Sequence, residues 1–293
     1  MNCELRKVKS VMLAFTLLVI LITACNGGNG TSTNDNKKTK DTANKNVATK
    51  SAVSDTSNSG PIADVKTILS KKEVPILCYH HMRVQSNGKL TDYSVEPDRF
   101  IAEMKLLADS GYKTVLPDQL YDYLTKGTAL PEKPMMITFD DTDEEQFTIG
   151  KREMDKYGFK GVFFIMTISL NRPHYMTDAQ LKQLVDEGHV VGAHTWDHHM
   201  VTKYEPKDWE IQIDKPRQKL ETITGKSVTY FAYPFGLWNE AAVAEVKKRG
   251  FKMAFQLATH RDTTEPLYTI RRIIISGKWS PEGVLKSMKS SFR

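Results

Sequence analysis

The stretch that decides the fold covers residues 134–166 and reads PMMITFDDTDEEQFTIGKREMDKYGFKGVFFIM. Its apolar beginning, residues 134–139, predicts a buried strand. Residues 145–157 predict a helix that ends at Gly158, since glycine is a common helix terminator. Residues 161–166 are a second apolar run, rich in Phe and Ile. A strand, a helix and a strand in this order indicate a parallel βαβ unit.

The same alternation extends in both directions from this unit. Strands are also predicted at residues 74–79, 112–116, 189–193, 228–233, 252–256 and 270–275. Helices are predicted at residues 98–109, 118–125, 177–187, 208–223 and 239–249. Seven or eight strands separated by helices are typical of α/β proteins with parallel strands, so a (β/α) barrel and a doubly wound sheet both fit.

The N-terminus has the pattern of an export signal rather than of a folded domain. Three basic residues precede an apolar run over residues 11–22, which is shorter than the roughly 20 residues that a membrane span needs. Small residues before Cys25 resemble the lipobox of bacterial lipoproteins, which implies a signal peptide over residues 1–24 and a lipidated Cys25. A plain secreted protein and an uncleaved anchor helix are the alternatives.

Composition divides the remaining chain into a tether and one domain. Residues 25–72 are rich in Ser, Thr, Asn and Lys, which predicts a disordered tether, and residues 73–293 are predicted to form the globular domain. The formal net charge of +6 arises entirely from residues 1–72, and residues 73–293 carry equal numbers of basic and acidic residues. The charge therefore indicates no nucleic-acid partner.

Polar or turn-forming residues directly follow four of the predicted strands. They are His80-His81, Asp140-Asp141, His194 and the segment Tyr233-Pro234-Phe235-Gly236. In both candidate folds, active sites gather beyond the carboxyl ends of the strands. We therefore expect these four places to meet in one site.

Two of these motifs favour a metal ion. Adjacent carboxylates such as Asp140 and Asp141 repel each other, and keeping both ionised requires a nearby cation. His194 and His198 are four residues apart, which would place both on one side of a helical turn, where they can share an ion. Together the motifs predict a site of two histidines and one aspartate with open positions for water and substrate.

The combination of motifs resembles a known enzyme family. Thr138-Phe139-Asp140-Asp141, the segment from His194 to His198 and the segment from Phe231 to Gly236 occur in the order and spacing of the polysaccharide deacetylase (NodB-homology, carbohydrate esterase 4) family. The opening VPILCYHH at residues 74–81 resembles its poly-β-1,6-N-acetylglucosamine deacetylase branch. The resemblance covers about residues 74–275 and implies an α/β fold, a distorted (β/α) barrel of about seven strands.

The resemblance also implies the metal site and its cofactor. It assigns Asp141, His194 and His198 as ligands of a divalent metal, with zinc expected first and cobalt or nickel as alternatives. It assigns Asp140 as the general base that takes a proton from the attacking water. A metal at this place would acidify the water and polarise the acetyl carbonyl.

Two further roles follow from the same resemblance. His80, after the first strand, is implied as the general acid that protonates the leaving amine. The turn formed by Tyr233, Pro234 and Phe235 is implied as the substrate-binding segment, with the backbone N–H of Phe235 holding the oxyanion.

The resulting expectation is a hydrolase of carbon–nitrogen bonds that removes N-acetyl groups from an N-acetylglucosamine-containing polysaccharide. We expect a monomer in the cell envelope, held to a bacterial membrane only by its lipid anchor. The alternatives are an O-acetyl (xylan-type) esterase, a carbohydrate-binding surface lipoprotein with weakened catalysis, and an iron oxygenase with the same ligand set.

Several positions depart from the family pattern or carry two interpretations. Thr142 stands where the family usually has glycine, so we expect a changed loop, and the acids that follow it are expected to raise the pKa of the base. Ala232 replaces the arginine that usually steadies the catalytic aspartate, and Arg271 or Arg272 is a candidate substitute. Trp196 and Trp238 either stack on sugar rings or pack in the core.

Overall fold

The computed structural model describes residues 62–84, 89–257 and 260–292. The predicted signal peptide, Cys25 and residues 26–61 of the predicted tether lie outside these residues. Within the described residues, no helix is long and apolar enough to cross a lipid bilayer.

Seven parallel strands form the centre of the domain, and an eighth is attached at one side. The ten strands of the described residues are β1 (Ile76–Tyr79), β2 (His81–Met82), β3 (Ser94–Val95), β4 (Lys113–Thr114), β5 (Pro134–Asp140), β6 (Gly161–Ile165), β7 (Val190–Ala193), β8 (Tyr230–Ala232), β9 (Met253–Phe255) and β10 (Ile273–Ile274). The main sheet has the order β10-β1-β5-β6-β7-β8-β9, with β4 paired to β5. β2 and β3 form a separate parallel pair.

One short segment, which includes β10, pairs with both β9 and β1. Phe255 of β9 pairs in parallel with Ile270, and three residues later Ile273 pairs in parallel with Leu77 of β1. Residues 270–274 therefore lie between β9 and β1 and turn the curved sheet into a distorted barrel. The expected (β/α) barrel of about seven strands is confirmed, and the doubly wound alternative is not observed.

Helices surround the barrel, and α2 to α7 connect successive strands, whereas α1 precedes the first strand and α8 follows the last. They are α1 (Val65–Ser70), α2 (Pro97–Asp109), α3 (Pro117–Lys126), α4 (Arg152–Asp155), α5 (Asp178–Asp186), α6 (Lys215–Thr224), α7 (Glu240–Lys248) and α8 (Pro281–Ser291). Proline begins α2, α3 and α8, where its missing N–H and fixed φ are tolerated. Two π-helical segments, Gln146–Lys151 and Glu210–Asp214, lead directly into α4 and α6.

Alternation along the strands separates an inner core from an outer core. Met136, Val162 and Phe164 belong to one cluster, here called the inner cluster, whereas Ile137 and Phe163 belong to a second and larger cluster, the outer core. Successive strand residues point to opposite faces, so side chains two apart share a face. Asp140 thus points to the inner face of β5, on the same side as Met136.

The folded domain begins earlier than the predicted boundary at residue 73. Helix α1 is capped by the side chain of Asp64, which accepts a hydrogen bond from the Thr67 N–H. Ile68 of this helix is buried in the inner cluster, and the Ala63 N–H donates to the carbonyl of Thr125 at 2.9 Å. Composition placed residues 62–72 in the tether because a six-residue helix with one buried side chain leaves almost no periodic signal.

Candidate active site

The four polar strand ends meet at one end of the barrel, as expected from the parallel arrangement. His80 follows β1, Asp140 ends β5, His194 follows β7 and Tyr233 follows β8. His80, Asp140 and His194 are all at most 9% exposed, so this group is built into the protein rather than displayed on it.

Asp140 is held by a buried arginine. Nη1 of Arg272 donates to Oδ1 of Asp140 at 2.7 Å, and Nη2 donates to Oδ2 at 2.8 Å. The guanidinium also donates to the Thr138 hydroxyl at 3.1 Å and to the Gln256 carbonyl at 3.3 Å. It lies 5.2 Å from the centre of the Phe164 ring. Of the two candidates for the missing family arginine, Arg272 is therefore the one that contacts Asp140.

The arginine decides the charge state of the aspartate. Burial alone would raise the pKa of Asp140, but the charges of Arg272 and then His194 outweigh burial and hold the pKa well below its usual range. The expectation that nearby acids raise this pKa is wrong. Asp143, the first of the acids after Thr142, is instead paired with His81 and Arg83.

The loop after Asp140 keeps a glycine-like backbone without a glycine. Asp141 and Thr142 have φ values of +76° and +75°, and the second value is a true outlier for a β-branched residue. The Thr142 hydroxyl accepts a hydrogen bond from the Met166 N–H at 2.8 Å, and its side chain is fully buried. The expected change of the loop is therefore not seen, because the hydroxyl ties the strained residue to the end of β6.

Asp141, His194 and His198 converge on one point. The Oδ1 atom of Asp141 lies 3.5 Å from Nε2 of His194 and 3.4 Å from Nε2 of His198. Nδ1 of His194 lies 2.8 Å from the carbonyl of Ala232, so Nδ1 carries a proton and, in the neutral imidazole, Nε2 carries the lone pair. Oδ1 of Asp141 and Nε2 of His194 are buried and lack a hydrogen-bond partner among the described residues.

The two histidines meet by a route that differs from the predicted helical turn. Residues 194–200 form no helix. Thr195 and His198 have φ values of +66° and +67°, and the His198 N–H donates to the Thr195 hydroxyl at 2.9 Å. This turn brings the two imidazole centres within 4.9 Å. The helical interpretation of the spacing was wrong because a loop can bring residues four apart together equally well.

The three side chains fit a divalent metal. One ligand atom from each lies within 4.8 Å of the others, and two of these atoms are buried without partners. Burial alone would lower the pKa of His194, but Asp140 and Asp141 raise it overall, so the pocket favours a positive charge. Two imidazoles and a carboxylate are a donor set that zinc accepts.

His80 stands beside the aspartates with one free ring nitrogen. Its side chain is nearly buried, and Nδ1 has no partner among the described residues. Burial lowers the pKa of His80, and the negative charges of Asp140 and Asp141 oppose this shift. The ring of Tyr93 meets it edge to face at 5.4 Å between centres.

The Tyr233–Phe235 segment offers one backbone donor and one exposed ring. The Tyr233 N–H is taken by the Phe255 carbonyl at 3.0 Å, and Pro234 has no N–H, which leaves Phe235 as the donor of the three. The side chain of Tyr233 is fully buried in the outer core and does not reach the site surface. Phe235 has a φ of +60°, and its ring lies 4.4 Å from that of His198.

The two tryptophans near the motifs differ in their surroundings, and a third aromatic residue at the site, Tyr93, was not predicted. The indole N–H of Trp238 donates to Oε1 of Gln256 at 2.8 Å, which is a packing role. Trp196, which lies between His194 and His198 in the sequence, is 40% exposed. Tyr93 was not recognised, because nothing in its sequence surroundings marks the contact with His80.

Comparison with known proteins agrees with this geometry. The family model for polysaccharide deacetylase matches residues 127–254, which run from Gly127, before β5, to Ala254 within β9. This match places residues 127–254 in the polysaccharide deacetylase family. This family is a class of hydrolases, and the chain is therefore an enzyme of that class.

Two curated polysaccharide deacetylase relatives have similar sequences. The Bacillus subtilis protein YxkH, named as a polysaccharide deacetylase, is 28% identical over 212 residues, which is 70% of this chain and 72% of the relative. The poly-β-1,6-N-acetyl-D-glucosamine N-deacetylase of Staphylococcus aureus is 28% identical over 206 residues, which is 65% of this chain and 71% of the relative.

Solved structures of deacetylases share the fold. A polysaccharide deacetylase from Bacillus cereus is 27% identical with a TM-score of 0.65, covering 74% of this chain and 69% of that one. A Streptococcus pyogenes deacetylase in complex with acetate is 23% identical with a TM-score of 0.68, covering 74% of this chain and 98% of that one. The second similarity concerns the fold alone.

Proposed function

We propose that the protein is a metal-dependent N-deacetylase that acts on an N-acetylglucosamine-containing polysaccharide. The observation that carries the proposal is the position of Asp140. It is fixed by Arg272 and lies 3.9 Å from Nε2 of His194, one of the three side chains that converge on a metal-sized gap. A carboxylate that must accept a proton thus stands beside a site for the group that activates water.

Asp141, His194 and His198 would hold the metal. When bound there, a divalent ion supplies a Lewis acid for the acetyl carbonyl and lowers the pKa of the attacking water. Among the divalent ions, zinc suits two imidazoles and a carboxylate, and cobalt or nickel can occupy the same donors. The Ala232 carbonyl keeps the lone pair of His194 Nε2 pointed at the gap by holding the proton on Nδ1.

Asp140 takes the proton of the attacking water. Arg272 keeps the carboxylate ionised and fixes the direction of its oxygens, since both are bound by the guanidinium. The Phe235 N–H donates to the oxygen of the tetrahedral intermediate. His80 then delivers a proton to the amine nitrogen, without which the amine leaves poorly.

The alternatives differ in how well they fit the site. A carbohydrate-binding protein with weakened catalysis was suggested by Thr142 and Ala232. Both departures are compensated, by the bond from Met166 and by Arg272, so the weakened interpretation loses its basis. Family membership leaves the iron oxygenase without support. An O-acetyl esterase uses the same machinery, and release of free amine together with acetate distinguishes the two reactions.

The proposal is tested by a panel of acetylated glycans: chitin, peptidoglycan and β-1,6-linked glucosamine oligomers. The wild-type protein should release acetate and free amine in equal amounts with added zinc or cobalt, and a chelator should stop the reaction. Asp140→Asn should abolish turnover while the metal content stays unchanged. Turnover that survives Asp140→Asn, or an active protein without metal, would contradict the mechanism.

We also propose that Cys25 carries a lipid that anchors the enzyme in the bacterial cell envelope. The small residues before Cys25 and the apolar run before them support this proposal. Cys25→Ser should move the protein from the membrane fraction to the soluble fraction. Unchanged membrane retention would instead support an uncleaved anchor.

A further inference from the structure

Three aromatic side chains at the candidate active site are exposed to solvent. Tyr93 is 54% exposed, Trp196 is 40% exposed and Phe235 is 53% exposed. They are the aromatic members of the set of exposed large hydrophobic side chains in the described residues. Each lies on a segment that carries a residue of the site or contacts one.

Two of these rings contact different histidines of the site. Tyr93 contacts His80, which follows β1, with ring centres 5.4 Å apart. Phe235 contacts His198, in the segment after β7, with ring centres 4.4 Å apart. In the sheet order, β5 with its aspartates is next to β1, and β7 is two strands further along. One exposed ring thus contacts the proposed general acid, and the other contacts a proposed metal ligand.

Packing does not explain the ring of Phe235. A bulky residue at a φ of +60° carries backbone strain of about 1–3 kcal/mol. Half of its apolar surface remains in water, so burial recovers little of that cost. The proposed oxyanion donor is its backbone N–H, which any residue except proline supplies. Neither packing nor the backbone N–H therefore accounts for an aromatic side chain at this position.

We propose that the rings of Tyr93 and Phe235 are two sugar-stacking platforms, one beside His80 and the other beside His198. They would hold the sugar residues that neighbour the acetylated one in a glycan chain. The C–H face of a pyranose is flat and apolar, and an exposed aromatic ring is its natural complement. Two such platforms select a polymer over a free monosaccharide. This inference rests on the proposed function and adds the length of the substrate to it.

The test uses β-1,6-linked N-acetylglucosamine oligomers of two to six residues. For each length, kcat and KM are measured separately for the wild type, Tyr93→Ala and Phe235→Ala. The wild type should prefer five residues to two. Each alanine variant should lower the ratio of kcat/KM for five residues to that for two by about 10-fold, mainly through KM.

Two further variants control the experiment. Tyr93→Phe keeps the ring and should restore the wild-type ratio. Ile211→Ala removes an exposed apolar side chain on the π-helical segment Glu210–Asp214 and should leave the ratio unchanged. Binding of the pentamer to the Asp140→Asn protein, measured by calorimetry, should weaken about 10-fold when Tyr93→Ala is added.

The outcomes separate this inference from the proposed function. A wild-type enzyme without length preference, or variants that lose the same activity on every length, would overturn the platforms while deacetylation stands. A wild-type protein that releases acetate from no acetylated glycan would overturn the proposed function itself. If an alanine variant fails to fold, the Tyr93→Phe comparison and the pentamer affinity of the other variant still decide.

Discussion

Two nitrogens of Arg272 donate to the two carboxylate oxygens of Asp140, at 2.7 and 2.8 Å, and both residues are almost completely buried. The family pattern places the arginine for this purpose at the position of Ala232, at the end of β8. Here the cation comes from the segment that joins β9 to β1. A shared function is thus served from a different strand, since the inner space of a barrel can be reached from several sides.

The buried pair should show strong coupling between its two members. Arg272→Met leaves the Asp140 charge without a partner and should lower the free energy of unfolding by about 3–5 kcal/mol. In an Asp140→Asn background the same substitution should cost much less. Urea unfolding of the four proteins measures the coupling.

Arg271 offers a matched control for this double-mutant comparison. It is partly buried, but it pairs with Glu73 and donates to the Ser291 carbonyl. Arg271→Met should therefore add independently to Asp140→Asn. If both arginines showed the same coupling energy with Asp140→Asn, that energy could not be attributed to the contact between Arg272 and Asp140.

The metal-binding group predicts a contrast between two neighbouring histidines. His198→Ala removes a ligand and should reduce metal affinity at least about 100-fold. His199 has a side chain that is 67% exposed and is not one of the converging ligands, so His199→Ala should keep wild-type metal content. Metal analysis after dialysis provides the measurement, and loss of metal from both variants would argue against the assigned ligands.

Thr142 should be sensitive to loss of its hydroxyl rather than of its methyl group. Thr142→Val leaves the Met166 N–H without its partner and should cost about 1–3 kcal/mol. Thr142→Ser keeps the hydroxyl and should cost clearly less. Thr142→Gly loses the bond but relieves the strain of a positive φ, so we expect an intermediate value. Thermal unfolding of the three variants ranks them.

Glu103 should make the free energy of unfolding fall as the pH rises. Burial raises its pKa to about 7, although the hydrogen bond from the Tyr79 hydroxyl and the charge of Arg99 oppose the shift. Because the folded state holds this proton more tightly than the unfolded state, stability falls as pH rises from about 4.5 to about 7. Glu103→Gln should flatten this decline by roughly 1–3 kcal/mol between pH 5 and pH 8.

Unfolding by urea at four pH values measures the effect of Glu103. Glu210→Gln, at a side chain that is 68% exposed, is the control and should leave the profile unchanged. A Glu103→Gln profile parallel to that of the wild type would show that this carboxyl does not bind the proton.

Gly277 and Gly283 should respond to alanine in opposite ways. A Cβ atom at Gly277 would lie 1.9 Å from the Ser94 carbonyl oxygen, so Gly277→Ala should force a backbone shift that costs about 1–3 kcal/mol. At Gly283, within α8, the nearest atom would be 3.4 Å away, and Gly283→Ala should be neutral or stabilise by up to about 1 kcal/mol. Melting temperatures of both variants check the signs.

The sequence predicted those parts of the fold that repeat a pattern over many residues. The buried strands β5 and β6 and the helix α2 follow directly from apolar periodicity. Helix α1 and the pair β2–β3 are too short to produce such a pattern. The π-helical start of the segment before α4 carries no signal that separates it from an ordinary helix.

The site was predictable in its residues and less so in its geometry. Motif spacing pointed to His194 and His198, but the left-handed turn between them depends on loop contacts such as the bond from His198 to Thr195. Composition could not choose between Arg271 and Arg272. The choice depends on register: Ile274 pairs with Cys78, and the resulting alternation turns Arg272 inward and Arg271 toward Glu73.

The place of Arg272 in the chain has a consequence for when the enzyme becomes active. It follows every other proposed catalytic or metal-binding residue in the sequence, on the segment that pairs with both β9 and β1. During synthesis from the N-terminus, this segment is made after Asp141, His194 and His198. Until it is in place, Asp140 lacks the arginine whose charge does most to hold its pKa low. We therefore expect the ability of Asp140 to accept a proton to depend on completion of the barrel by its last strand.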